Sequence, residues 1–167
     1  MFKSRKRLLL DRGPSWPDYH KAKPFMVRYY LLFRKRPRWF PFNIFLHKIL
    51  KSDLGDLHDH YWSYFTIILK GGYWEHTEQG KFWKKPGFTQ SVEPMHKHRV
   101  ELKPGCTCWT LFIPYRRCRK WGFYRDEKWI ESEDYFRLRK KEKLENHTTG
   151  KELNNFSLDY APEEGEI

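Results

Sequence analysis

Gly71-Gly72, Pro86-Gly87 and Pro104-Gly105 cut the middle of this chain into short runs of aromatic and β-branched residues. Strands fit between such turns and long helices do not. Strand formers fill residues 25–33, 43–50, 73–76, 91–93, 98–102, 108–114 and 117–124. In 43–50, alternation places Phe45, His47 and Ile49 on one face and Ile44, Leu46, Lys48 and Leu50 on the other. Residues 58–69 read as one long strand that is apolar on both sides, as in the middle of a sandwich. The fold class expected from this pattern is all-β, a sandwich or jelly-roll barrel over 25–131. A basic N-terminal arm without regular structure precedes it at 1–24. A charged peripheral helix from 132 follows, anchored by Tyr135, Phe136 and Leu138, and a flexible polar tail runs to 167.

A chain of 167 residues is about one domain of roughly 100–200 residues. Aromatic residues make up 19% of it while mean hydropathy is −0.90, so large rings carry the core among many charges. Lys and Arg number 33 against 21 Asp and Glu, a formal charge of +12. Such a field draws phosphates, nucleic acid or an anionic metabolite. No helix-turn-helix, zinc-finger or basic-helix spacing accompanies it, so charge alone does not favour nucleic acid as the partner. The apolar run after the basic residues 1–7 is too short for a secretory signal, and no stretch is long enough to span a membrane. A cytoplasmic protein with reduced thiols is the expectation, and Cys106, Cys108 and Cys118 read as small packing residues.

His58-Asp59-His60 before the Gly71-Gly72 turn, with His96 and His98 on a later segment, supplies the chemistry. Two histidines at i and i+2 of a strand share a face. A third from a neighbouring strand completes a facial set of imidazoles around one ion, and several divalent metals accept such a set. His98 is the expected third ligand; His96 shares its face and is the alternative.

These residues resemble the cupin superfamily. His58, His60 and Gly71 fall on its first motif, and Gly87 and His98 fall on its second. Tyr64 stands where that first motif has a glutamate. Leu57-His58-Asp59-His60, Gly71-Gly72-Tyr73-Trp74-Glu75, His98-Arg99-Val100-Glu101 and Arg117-Cys118-Arg119-Lys120-Trp121-Gly122-Phe123 are similar to strings in small cupin-like proteins of phages and bacteria. The resemblance implies a cupin-type barrel holding a divalent metal on His58, His60 and His98. The missing glutamate points to iron(II), as in cupins that use ferrous iron with dioxygen; zinc, manganese and nickel are the alternatives. The fold by itself assigns no substrate.

Around the metal, Glu75, Tyr64 and His47 are the catalytic candidates: Glu75 as a fourth ligand, a general base or an exposed hairpin carboxylate, and His47 as a pocket-facing histidine of an adjacent strand. Arg99, Arg117, Arg119 and Trp121 are the substrate-binding candidates, because Arg117, Arg119, Trp121 and Phe123 alternate onto one strand face and combine guanidinium forks with stacking rings. The expected function is a metal-dependent oxygenase of a small anionic or nucleotide-like substrate. A non-catalytic binder of a nucleotide or sugar phosphate and a metal-independent sugar-nucleotide isomerase or epimerase are the alternatives. The reading also allows a homodimer.

Overall fold

In the computed structural model, which describes residues 5–10, 21–53 and 55–148, two antiparallel layers enclose one interior. The first is six-stranded. Its strands are β1 (Lys6–Leu10), β2 (Pro24–Tyr30), β3 (Phe45–Ile49), β5 (Tyr64–Lys70), β8 (Thr89–Val92) and β10 (Cys108–Pro114), in the order β1-β2-β3-β10-β5-β8. The second is made of two three-stranded pieces. One is β12-β11-β4, formed by β4 (Leu57–His58), β11 (Gly122–Arg125) and β12 (Lys128–Glu131). The other is β7-β6-β9, formed by β6 (Tyr73–Thr77), β7 (Gly80–Lys84) and β9 (Arg99–Glu101). A single bridge between His58 and His98 joins the two pieces through reciprocal backbone bonds of 2.9 and 3.0 Å. The seam of the second layer is therefore built from two of the expected metal ligands.

Alternation explains which way the strands face. Phe45, His47 and Ile49 of β3 are buried, as are Tyr64, Thr66 and Ile68 of β5. Ile49, Ile68, Tyr73, Val100, Leu102 and Cys108 form one core between the layers. Gly71 has φ +86°, and a Cβ there would collide with the Thr107 carbonyl, so the β5–β6 turn requires glycine. The helix α1 (Ser132–Thr148) packs outside on β11. The Tyr135 ring stacks on Phe123 at 3.9 Å, and Trp121, Phe123 and Tyr135 form a second core.

Several expectations need correction. Residues 58–69 are not one strand: β4 ends at His58, and the chain leaves the sheet until Tyr64. The region taken as an arm contains β1, which pairs with β2 along the sheet edge. Residues 115–121 are not in a strand, so the alternation proposed for Arg117, Arg119 and Trp121 does not exist. Leu138 is 39% exposed and does not anchor the helix. Cys106 and Cys118 are exposed, and only Cys108 packs as a small buried residue. The helix, expected to end at residue 144 with a tail from 145, continues to Thr148, and the rest of the expected tail lies outside the described residues. Among those described, no helix is long and apolar enough to cross a membrane.

Candidate metal centre

His58 ends β4, His60 follows in the connecting segment and His98 arrives beside it just before β9. Each offers a ring nitrogen, and the three lie within 4.8 Å of one another. Nε2 of His60 and Nε2 of His98 are 2.8 Å apart. Two imidazole nitrogens at that distance must share either a proton or an ion. Donors each about 2.0–2.1 Å from one ion and about a right angle apart would be separated by ~2.9 Å, so the spacing suits two adjacent ligands.

The protonation of the set favours an ion. Burial, with the neighbouring histidines, holds His58 and His60 well below the usual histidine value, leaving both rings neutral with lone pairs to give. Nδ1 of His58 is buried without a hydrogen-bond partner. Glu75 of β6 sits behind His98, 2% exposed, with Oε1 2.9 Å from His98 Nδ1 and 3.2 Å from His96 Nε2, while Lys84 Nζ approaches Oε2 at 3.2 Å. Burial opposes its charge, but bonds from His96 and His98 and the Lys84 ammonium outweigh burial and hold the carboxyl well below the usual carboxylate range. An ionised Glu75 can only accept, so Nδ1–H of His98 donates to it and Nε2 of His98 is the nitrogen that faces His60. A carboxylate that fixes the tautomer of a ligating histidine in this way is the usual outer support of a metal site.

These contacts separate His98 from His96. His96 joins Glu75 and His98 in a second group of donors, within which Nδ1 of His98 is bonded to Glu75 and Lys84 meets the carboxylate. His58, His60 and His98 form the first group of donors, and Glu75 stands behind it against His98. Glu75 is neither an exposed hairpin carboxylate nor a base facing the cavity. Tyr64 is in the wall, its ring 5.1 Å from His60 and 4.6 Å from Phe112. Burial pushes its phenol well above the usual tyrosine value, so it stays protonated and can donate.

The three imidazoles open onto a cavity of about 160 Å³ between the layers. A hydrocarbon-lined cavity of about 150 Å³ is known to take one benzene ring. Much of this wall is aromatic, including Phe112, Trp121 and Phe123. The polar exceptions on the facing layer are Arg28 of β2, His47 of β3, Thr66 and Thr110. Arg28 is 4% exposed; its Nε–H donates to Nε2 of His47 at 2.9 Å, and the guanidinium lies 4.6 Å above the Phe45 ring. Burial first, then the Arg28 charge, holds His47 well below its usual value. Its Nε2 lone pair accepts from Arg28, so His47 orients that guanidinium at the cavity wall. Asp53, the one carboxylate among the described lining residues, accepts the Val100 N–H at 2.8 Å, and burial raises its pKa.

The arginines expected to bind substrate are elsewhere. Arg99, Arg117 and Arg119 do not line the cavity, whereas Trp121 does. Arg117 lies 3.8 Å over the Tyr61 ring. Arg119 pairs with Asp59, which is fully buried and also accepts from Gly122 N at 2.7 Å, Trp129 Nε1 at 3.0 Å and Tyr124 OH at 3.1 Å. Asp59 thus points away from its histidine neighbours and clamps the segment carrying His58 and His60 to the β11–β12 hairpin. The sequence reading missed Arg28, Asp53 and this role of Asp59. A single arginine within the apolar run Phe-Met-Val-Arg-Tyr-Tyr was the signal for Arg28.

Comparison with solved structures places the architecture among the cupins. The polyketide cyclase RemF from Streptomyces resistomycificus is 17% identical, with 72% of this chain and 84% of that chain covered at a TM-score of 0.52. A cupin-2 domain protein from Rhodospirillum rubrum is 14% identical over 90% and 93%, TM-score 0.53. A sugar phosphate isomerase of the cupin superfamily from Silicibacter pomeroyi is 13% identical over 74% and 78%, TM-score 0.52. No family model matches the chain, and no curated protein sequence matches it. The fold is a cupin barrel with His and Glu groups placed for a metal ion.

Proposed function

We propose that this chain is a metal-dependent cupin enzyme of the iron(II) oxygenase type, acting on a small anionic compound built on a single ring. One observation carries the reading: three imidazoles, backed by a buried Glu75, converge on the wall of a ring-sized cavity that has a buried arginine on its other side. His58, His60 and His98 would hold the metal. Bound there, iron(II) supplies the redox chemistry with dioxygen that side chains lack. A nitrogen-only ligand set with Tyr64 in place of a carboxylate supports iron over metals that favour oxygen donors.

The remaining groups bind and orient. Arg28, aimed by His47, supplies positive charge for a carboxylate or similar anion. Phe112, Trp121 and Phe123 flank a flat ring and keep water out. Tyr64 donates a hydrogen bond from the wall, and Asp53 is the cavity's carboxylate, its pKa raised by burial.

Oxygen uptake by iron-loaded protein, measured against a panel of monocyclic aromatic carboxylates, tests this. Uptake with at least one member is expected. Arg28→Met should raise KM roughly tenfold to a hundredfold, the loss of one charge-assisted bond of about 1.5–3 kcal/mol. Zinc-loaded protein turning the substrate over as well as iron-loaded protein would contradict the oxygenase reading.

A further inference from the structure

The excess positive charge has a structure of its own. From Tyr19 to Ser52 and again from Leu102 to Arg125 the chain contains no Asp or Glu. The loop between β2 and β3 carries Arg34, Lys35, Arg36 and Arg38, with Trp39 at its tip 74% exposed. The segment after β10 carries Tyr115, Arg116 and Arg117, all exposed. Two crossed contacts fasten these segments together: Arg36 donates to the Tyr115 carbonyl at 2.9 Å and Arg116 to the Trp39 carbonyl at 2.8 Å. Both acceptors are carbonyls, so these contacts leave the guanidinium charges unneutralised.

The loop is also held in shape. Asn43, 2% exposed, accepts the Phe33 N–H at 3.1 Å and donates to the Phe33 carbonyl at 2.9 Å, closing the loop at its base. Phe33, Phe40 and Phe42 meet edge to face at 4.9 Å, and Trp39 rests edge to face on Phe40 at 5.4 Å. Those phenylalanines are occupied with one another, so the rings that this surface presents are Trp39 and Tyr115. The surface then continues to the cavity rim. Tyr115 N–H donates to the Ser63 carbonyl at 3.0 Å, and Arg117 covers Tyr61, which lines the cavity.

We propose that this platform, Lys35, Arg38 and Arg117 around Trp39 and Tyr115, binds single-stranded nucleic acid and carries it past the cavity mouth. Guanidinium forks match phosphate geometry, and a fixed exposed indole beside them offers unpaired bases a stacking face. A duplex hides its base faces and gains nothing from Trp39. A lipid surface would want a broad apolar face, and most of the hydrocarbon here is turned into the loop's own cluster. The inference does not depend on the metal.

Fluorescence anisotropy with a labelled single strand of about ten nucleotides, as DNA and as RNA, tests it. Wild type is expected to bind, with log affinity falling linearly against log salt by about 0.7 per phosphate neutralised. Lys35→Glu with Arg38→Glu should shrink that slope by about 1.4, the value for two phosphates. Trp39→Ala should weaken binding roughly tenfold without altering the slope. Its side chain is largely solvated, so the fold stays intact, which a thermal melt verifies. Lys70→Glu with Lys85→Glu, the same change of charge at the other end of β5, is expected to cost little. The proposal fails if both charge-reversed pairs lose affinity equally, if Trp39→Ala binds like wild type, or if a duplex binds as tightly as the single strand. It also fails if vesicles of mixed phosphatidylserine and phosphatidylcholine bind in a Trp39-dependent way while the oligonucleotides do not.

Discussion

Glu75 shows how far a residue's role depends on what stands behind it. It was expected as a ligand, a base or an exposed hairpin carboxylate. It is buried against His96, His98 and Lys84, so it is not an exposed carboxylate; it forms a donor group with His96 and His98, and its bond to Nδ1 of His98 orients that ring. Glu75→Gln keeps the shape and removes the charge that secures the His98 proton. Metal affinity should fall about 10- to 100-fold, as for other outer-shell partners of ligating histidines, while far-UV circular dichroism stays unchanged. Competition against a fluorescent chelator measures this, and an unchanged affinity would remove Glu75 from the support of the site. The side-chain types at the centre were legible in the sequence because imidazoles at i and i+2 beside a third have few structural uses. The meeting of Glu75 with both His96 and His98 was not, since it depends on β6 pairing beside β9.

At the scale of elements, the segment bearing His58 and His60 is held by Asp59. Its carboxylate gathers Arg119, Gly122, Tyr124 and Trp129 from the far strand pair and the segment before it. Removing one partner from a buried, hydrogen-bonded pair costs about 3–5 kcal/mol. Asp59→Ala should therefore lower the urea midpoint markedly, and it should also weaken metal binding although Asp59 is not in the ligand set. Asp59→Asn, which keeps the size and part of the bonding, should fall between. A stability loss with full metal affinity would mean that the clamp and the site are independent. Most of the turn-bounded strands were legible, with 108–114 read at its observed limits. The β11–β12 hairpin was not, because its turn is Asp126-Glu127, both at positive φ (51° and 62°) without a glycine. The break between β4 and β5 was hidden as well: Tyr61 and Trp62 are strand formers by type, and it is packing against the cavity that takes them out of the sheet.

For the whole molecule, the buried histidines link stability to pH. His47, His58 and His60 are each held below the ordinary value of 6.5, chiefly by burial. Below that value the unfolded chain binds protons that the folded chain refuses. The stability is thus fully present above about pH 6.5 and is lost as pH falls through the gap toward the lowered folded values, by up to about 1.4 kcal/mol per pH unit for each histidine. Urea midpoints of metal-free protein should drop between about pH 7.5 and about pH 5.5; a flat profile would contradict the protonation states assigned to the cavity. The central claim is the metal itself, and elemental analysis of untagged protein loaded with iron(II) and desalted tests it most directly. Wild type should retain one ion per chain, His60→Ala almost none, and His96→Ala close to the wild-type amount. Equal iron in wild type and His60→Ala would contradict the assignment of the site.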